Sequence, residues 1–127
     1  MKILIVEDSS SKLHRIQNIL EKHGIEYDVA TNGKDALEMC REHQYKVGIL
    51  DIEFPWEDEP IKGYTGMEMM RIFDKEKRDI KVIVYSIIPV EEIWKRNGEE
   101  LPNCFAMQAV FPFQLEREIY NLKLQLE

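Results

Sequence analysis

The chain has 127 residues, and its 17 Lys and Arg against 24 Asp and Glu give a formal charge of −7 at pH 7. This length predicts one domain, and the content of 44% hydrophobic and 32% charged residues excludes a disordered tail. The acidic balance argues against nucleic acid as the main partner, because neutralising phosphates requires clustered Lys and Arg.

The first part of the chain alternates apolar runs with helical stripes. Ile3–Val6 is a short continuous run rich in β-branched residues, which is typical of a strand buried on both faces. Apolar residues from Leu13 to Leu20 then recur at helical spacing, and Gly24 provides a natural end for that helix. A second strand is predicted over Tyr27–Thr31, followed by a helix over residues 34–43.

The same alternation continues in the second part of the chain. Val47–Leu50 is predicted to be the third strand and Val82–Tyr85 the fourth, with a helix around Met67–Phe73 between them. A short helix is expected around Val90–Trp94. Residues 52–65 form an irregular segment, and a loop of this length inside a compact domain is usually functional or mobile.

The last elements complete a regular pattern. Phe105–Phe111 predicts a weaker fifth strand, and Leu115, Ile119, Leu122 and Leu126 follow at the spacing of a terminal helix. Five strand–helix repeats with short connections predict a parallel sheet with helices on both faces. The expected fold class is therefore α/β, a doubly wound (βα)5 sheet of the flavodoxin-like kind.

Polar side chains follow three of the five predicted strands. Glu7 and Asp8 follow the first strand, Asp51 the third and Ser86 the fourth. In a sheet of this class, ligands bind beyond the carboxyl ends of the strands, so these groups are expected to meet. Carboxylates that meet repel each other unless a proton is retained or a cation binds. Oxygen ligands without nearby His or Cys favour Mg²⁺, which indicates phosphoryl chemistry.

Three of these segments together resemble the receiver domain of two-component response regulators. They are Ile3–Ser9, Ile49–Ile52 with Pro55 four residues after Asp51, and Val82–Ser86. Each motif alone is weak, but their joint order and spacing span essentially the whole chain. The resemblance implies a strand order of 2-1-3-4-5 and transfer of a phosphoryl group from a sensor histidine kinase or a phosphotransfer protein.

The resemblance also implies a role for each matching residue. Asp51 corresponds to the aspartate that accepts the phosphoryl group. Glu7 and Asp8 correspond to the acidic pair that holds Mg²⁺, with Asp51 and the backbone carbonyl of Glu53 as further ligands. Ser86 corresponds to the residue whose hydroxyl contacts a phosphoryl oxygen. A carboxylate can accept a phosphoryl group only if a metal ion and hydrogen-bond donors stabilise the charge on that group.

The chain departs from the family pattern at two positions. Receiver domains carry a Lys immediately before a Pro at the end of the fifth strand, where this chain has Phe111 before Pro112. The switch aromatic three residues earlier is Gln108. Losing the Lys removes a charge-assisted contact typically worth ~1.5–3 kcal/mol. Either another cation replaces it, with Lys62 the nearest candidate in sequence, or the chain is a pseudo-receiver that binds a partner without phosphorylation.

Two enzyme interpretations are weaker. Asp51-Ile52-Glu53 resembles the Asp-x-Asp start of haloacid-dehalogenase-type Mg²⁺-dependent phosphatases, but the third residue and the acidic pair on the first strand count against that class. A nucleotide-binding enzyme needs a Gly-rich loop after the first strand, and residues 7–11 contain no Gly. The prediction is therefore a phospho-accepting regulatory domain and not an enzyme.

The expected organisation is a single receiver domain over residues 1–127 without an output domain. Its output would then pass through a downstream protein on the face formed by the fourth helix, fifth strand and fifth helix, which includes Trp94, Lys95 and Gln108. A homodimer is left open. The apolar run Ile3–Val6 is too short for a signal peptide, and no stretch approaches the ~20 apolar residues of a membrane helix. We therefore predict a cytoplasmic location and no membrane partner.

Overall fold

The computed structural model describes residues 2–57, 59 and 62–126, in which strands and helices alternate. The strands are β1 (Lys2–Val6), β2 (Glu26–Ala30), β3 (Val47–Leu50), β4 (Lys81–Tyr85) and β5 (Phe105–Ala109). The helices are α1 (Ser10–Lys22), α2 (Gly33–Glu42), α3 (Thr65–Lys75), α4 (Val90–Arg96) and α5 (Pro112–Leu126). The strands form one parallel sheet in the order β2-β1-β3-β4-β5, which confirms the predicted flavodoxin-like α/β fold.

Two hydrophobic cores lie on opposite faces of the sheet. Along β1, Leu4 and Val6 pack into the core beneath α2 and α3, whereas Ile3 and Ile5 pack into the core beneath α1 and α5. All four side chains are fully buried. Because successive strand residues point to opposite faces, a strand covered on both faces has no polar position. This explains the continuous apolar run.

The fifth strand is shorter than predicted. It ends at Ala109, whereas the sequence pattern extended it to Phe111. The side-chain oxygen of Gln114, in the first turn of α5, accepts hydrogen bonds from the backbone N–H groups of Val110 (2.9 Å) and Phe111 (3.0 Å). These two residues therefore lead into α5 instead of continuing the sheet.

The irregular segment between β3 and α3 is anchored by buried side chains where it is described. Ile52 and Phe54 are fully buried, and Phe54 forms isolated β-bridges with Gly63 and Tyr64. Residues 58, 60 and 61 of the predicted loop lie outside the described residues. The beginning and end of the loop are thus held against the domain, close to the end of β3.

No helix in the described ranges combines the length and the apolar character that crossing a lipid bilayer requires.

Candidate functional site

The carboxyl ends of β1, β3 and β4 meet at one edge of the sheet. Val6 pairs with Leu50, and Leu50 pairs with Val84, so Glu7, Asp51 and Ser86 emerge beside one another. A cavity of about 390 Å³ lies beyond these strand ends. Its lining includes Lys12, Asp51, Glu53, Lys62 and Ser86. The structure therefore brings three of the predicted site residues to one cavity, with Glu7 buried at the same edge.

The acidic pair after β1 is held tightly. Glu7 is only 1% exposed, and its Oε2 accepts a hydrogen bond from the backbone N–H of Asp8 at 3.0 Å. Glu7 Oε1 and Asp8 Oδ1 are both buried and have no hydrogen-bond partner among the described residues. Burial, followed by the nearby charge of Asp51, raises the pKa of Glu7 above its ordinary value. The pair thus carries two carboxylate oxygens that a cation could satisfy.

Asp51 has one oxygen bound by the backbone and the other directed toward a cation. Its Oδ1 accepts a hydrogen bond from the backbone N–H of Ile52 at 2.7 Å. Its Oδ2 lies 3.3 Å from Nζ of Lys12, and the side chain is 15% exposed. Asp51 is therefore oriented by its own loop and accessible from the cavity.

Lys12 is the site residue that the sequence interpretation missed. Its Nζ donates a hydrogen bond to the carbonyl oxygen of Tyr85 at 2.9 Å and lies 3.3 Å from Glu7 Oε1. The signal was its position four residues after Asp8, in the first turn of α1. Helical side chains lean toward the helix N-terminus, so a Lys there can reach back to the strand ends.

Lys62 lies at the site, but it does not contact the predicted phospho-acceptor. Its Nζ lies 2.9 Å from Asp8 Oδ2, and this hydrogen bond raises the pKa of Lys62. The ion pair with Asp51 comes from Lys12 instead. The sequence named Lys62 and did not point to Lys12, because residue spacing does not show how a loop or a helical side chain folds back onto the strand ends.

Ser86 and Gln108 are linked through the loop after β4. Ser86 is 5% exposed, and its Oγ accepts a hydrogen bond from the backbone N–H of Ile88 at 3.2 Å. Gln108 Nε2 donates to the carbonyl oxygen of Ser86 at 2.7 Å and also to that of Ile88. Gln108 was expected on the exposed signalling face, but it is half-buried because its amide binds this loop.

Phe111 faces solvent beside the mouth of the site. It is 56% exposed, and its ring stacks on that of Phe113 with centroids 5.8 Å apart. Val110 lines the cavity, whereas Phe111 is not among the described residues that line it. The position that the family pattern gives to a Lys therefore contributes an apolar surface here and no charge.

The site contains carboxylates and cations in close contact. Within the described part of the chain, no three His, Cys, Asp or Glu side chains are grouped so that they could hold a metal ion. The ammonium groups of Lys12 and Lys62 lie against the acidic residues instead. Mg²⁺ usually takes only one or two protein carboxylates and keeps several waters. Glu7 Oε1 and Asp8 Oδ1, which accept no hydrogen bond from the described residues, fit such a hard cation.

The fold and this acidic edge define a doubly wound α/β domain with a carboxylate site at the ends of its strands, and comparisons identify its family. The family described as the response regulator receiver domain matches residues 3–96. Protein PilH of Pseudomonas aeruginosa is 32% identical over 102 residues, which cover 76% of this chain and 78% of PilH. The chain belongs to the response regulator receiver domain family. Such domains are regulatory, phospho-accepting modules of two-component signalling and are generally not enzymes.

Solved structures agree with the fold. The receiver domain of Francisella response regulator 1452 has a TM-score of 0.75 and 21% identity, over 99% of this chain and 98% of that chain. The response regulator TrrA of Thermotoga maritima, solved in complex with Mg²⁺-BeF, has a TM-score of 0.71 and 25% identity, over 95% and 97% of the two chains. Several other curated relatives are longer proteins, and this chain spans 50% or only 9% of their length.

Replacing Glu7 with Gln is expected to raise the free energy of unfolding at pH 7 by about 1 kcal/mol in metal-free buffer. Gln keeps an oxygen for the Asp8 N–H but removes a buried charge. Because the folded state raises the pKa of Glu7, stability is lost as the pH rises from its ordinary pKa toward the raised one. The advantage of the variant should therefore shrink as the pH falls through that interval.

Urea unfolding at several pH values, with a chelator present, measures this difference. Glu38→Gln is the matched control, because Glu38 is exposed on α2 and the same change there should leave stability within about 0.5 kcal/mol. A less stable Glu7→Gln protein at pH 7 would mean that the ion pair with Lys12 outweighs the cost of burying the charge.

Proposed function

We propose that this receiver accepts a phosphoryl group on Asp51 from a sensor histidine kinase or a phosphotransfer protein, with Mg²⁺, and signals through a partner protein. The observation that carries the proposal is the Asp51 carboxylate. It lies at the floor of an open cavity, with one oxygen held by the Ile52 N–H and the other against the ammonium of Lys12. A carboxylate in this position can act as a nucleophile toward a phosphoryl group.

The acidic pair supports the use of Mg²⁺. Glu7, Asp8, Asp51 and the backbone carbonyl of Glu53 are the groups that would hold the ion, directly or through its waters, since the described carboxylates do not already form a three-ligand cluster. Glu7 Oε1 and Asp8 Oδ1 are buried at this edge without a hydrogen-bond partner among the described residues, although Lys12 lies 3.3 Å from Glu7 Oε1, and leaving a buried polar oxygen without a hydrogen bond is costly. When bound, Mg²⁺ supplies positive charge to the phosphoryl oxygens. All the proposed ligands are oxygen atoms, with no nitrogen of His or sulfur of Cys among them, and such a set favours a hard cation.

Ser86 and Gln108 support a route from the site to the output face. The Ser86 hydroxyl accepts a hydrogen bond from the Ile88 N–H, so turning it toward a phosphoryl oxygen would break that bond. Gln108 on β5 holds the carbonyl groups of both loop residues. Movement of the loop would therefore pull on β5. Gln108 stands where the family pattern has an aromatic residue, and it would link the loop after β4 to β5 through its hydrogen bonds.

Helices α4 and α5 carry exposed apolar side chains that suit a protein partner. Trp94 on α4 is 42% exposed. On α5, Phe113, Tyr120 and Leu124 are 65%, 49% and 60% exposed, and their helical spacing places them on one side of the helix. Apolar side chains of this size outside the core are typical of surfaces that contact other proteins.

A pseudo-receiver that binds a partner without phosphorylation is the second candidate. The exposed Phe111 favours it, because an apolar ring beside the mouth of the site offers nothing to a phosphoryl anion. In that case the fold serves as an interaction module and Asp51 does no more than pair with Lys12.

Incubation with acetyl phosphate and Mg²⁺ is expected to add one phosphoryl group to the wild-type protein and none to Asp51→Asn. Asn keeps the hydrogen bond from the Ile52 N–H but cannot form an acyl phosphate. Intact-mass spectrometry measures the adduct directly. Asp79→Asn is the matched control, because Asp79 is exposed and pairs with the surface residue Lys46.

An adduct in both the wild type and Asp51→Asn would place the modification on another residue. Absence of an adduct in the wild type, with the fold intact, would favour the pseudo-receiver, and the search would turn to binding partners.

A further inference from the structure

The site needs a cation that the usual position does not supply. Phe111 stands where the family pattern has a Lys, and its ring stacks on Phe113 at the surface. A phosphoryl group on Asp51 carries two negative charges at neutral pH, close to the carboxylates of Glu7 and Asp8. Without a nearby positive charge, repulsion would oppose transfer.

Lys12 occupies a place in α1 that helix formation alone does not favour. It lies in the first turn of the helix, which contains no acidic residue, and the helix dipole disfavours a positive charge there. Its side chain is nevertheless drawn inward to 28% exposure. The contacts that hold it are therefore those of the strand ends and not those of its own helix.

Three oxygens surround the ammonium group of Lys12. Nζ donates to the carbonyl oxygen of Tyr85 at 2.9 Å and lies 3.3 Å from both Glu7 Oε1 and Asp51 Oδ2. An ammonium group has three hydrogens to donate. The Tyr85 carbonyl belongs to the backbone of β4, so it keeps Nζ beside Asp51 whatever charge the carboxylates carry.

Lys12 is better placed than Lys62 to meet a phosphoryl group. The three carboxylates that contact a Lys at the site share two ammonium groups, and Lys62 is paired with Asp8 at 2.9 Å. Conversion of the Asp51 carboxylate to an acyl phosphate makes the site more negative by one charge. Lys12 already contacts the oxygen of Asp51 that is not held by the backbone.

We propose that Lys12 is the catalytic cation of this receiver and substitutes from α1 for the Lys that the family carries before Pro112. The inference rests on the proposed function. In the transfer, an oxygen of Asp51 bonds to phosphorus while the bond between phosphorus and the donor's imidazole nitrogen breaks. The electron pair of that bond leaves with the nitrogen, which takes a proton from solvent. Lys12 neutralises the phosphoryl oxygens while it stays bound to Tyr85.

The rate of phosphorylation by acetyl phosphate, followed by intact mass with Mg²⁺, tests this role. Here the P–O bond to acetate breaks instead, and acetate is released. We expect Lys12→Met to react about 10- to 100-fold more slowly than the wild type. Lys22→Met is the matched control, because Lys22 lies on the same helix, 68% exposed, and pairs with Glu116 away from the site. It should react at the wild-type rate.

A second variant separates loss of the cation from loss of the fold. Lys12→Met combined with Phe111→Lys returns a Lys to the family position and is expected to recover most of the rate. Calorimetry gives a readout that does not depend on turnover. We expect Lys12→Met to bind Mg²⁺ alone at least as tightly as the wild type, but to bind beryllofluoride with Mg²⁺ more weakly.

The outcomes distinguish this inference from the proposed function. A wild type that is phosphorylated, with Lys12→Met reacting equally fast, overturns the role of Lys12 and leaves the receiver function standing. A wild type without an adduct overturns both. If Lys12→Met and Lys22→Met react equally slowly, the role of Lys12 is also overturned. Removing any positive charge from α1 would then slow the reaction, wherever that charge lies.

Discussion

Replacing Gly66 with Ala is expected to lower the free energy of unfolding by about 3 kcal/mol. A methyl group on Gly66 would lie 2.2 Å from the carbonyl oxygen of Asp51 and 2.9 Å from Cα of Ile52. Both are backbone atoms at the end of a central strand and cannot rotate away. Ala favours a helix over Gly by up to ~1 kcal/mol, which is too little to offset this overlap.

Gly63→Ala provides the matched control in the same segment. The nearest atom to a methyl group there is Thr65 Oγ1, at the ordinary contact distance of 3.9 Å. We expect its stability to stay within about 0.5 kcal/mol of the wild type. Urea unfolding of both variants measures the difference, and equal stability of the two would show that the start of α3 can shift away from β3 at little cost.

Gly66→Ala should also disturb the proposed phospho-acceptor, Asp51. The Gly66 N–H donates to the Ile52 carbonyl at 2.9 Å, and the Ile52 N–H holds Asp51 Oδ1. A displaced helix would move this loop and with it the Asp51 carboxylate. Because Gly66 has no side chain, α3 can approach the end of β3 and hold the Asp51 loop in place. No acidic or polar motif in the sequence identifies Gly66 as part of the site.

Saturating Mg²⁺ is expected to stabilise the wild-type protein, and Asp8→Asn should remove most of that gain. Mg²⁺ at 100 times its dissociation constant adds about 2.7 kcal/mol by mass action, or roughly 10 °C in melting temperature for a domain of this size. Asp8 contributes a buried oxygen that has no hydrogen-bond partner among the described residues. A neutral amide at that position is a much weaker ligand for a hard cation.

Thermal unfolding with increasing MgCl₂ measures the gain in each protein. Asp79→Asn is the control for a general salt effect, since Asp79 is exposed and bonded to Lys46. We expect it to retain the full response. A full response in Asp8→Asn would remove Asp8 from the set of ligands, and no response in the wild type would contradict the proposed Mg²⁺ site.

The order of the elements was predictable because burial leaves a periodic mark, whereas the strand order followed from the resemblance to receiver domains. The fully apolar run of β1 reflects packing on both faces of the sheet, and the stripes of α1 and α5 reflect packing on one side of a helix. The end of β5 was not predictable in this way. The Gln114 side chain takes the N–H groups of Val110 and Phe111, and such a local competitor leaves no periodic signal.

The location of Glu7, Asp51 and Ser86 at one edge was also predictable, since each follows an apolar strand and parallel strands end at the same edge. Their roles in phosphoryl transfer stay predictions until the mass measurement is made. The half-buried position of Gln108 was not predictable, because its amide binds carbonyl groups about 20 residues away in the chain.

Periodicity and the residues that end each strand were thus enough for the fold class and the acidic edge, and the resemblance of three motifs to receiver domains added the family and the strand order. The cation beside Asp51 and the close approach of Gly66 came only from the folded chain. Lys12 reaches Asp51 and Tyr85 across gaps of 39 and 73 residues, and Gly66 meets a strand end across an irregular loop. Local patterns record which faces are buried, whereas contacts of this kind depend on how packed elements are placed in space.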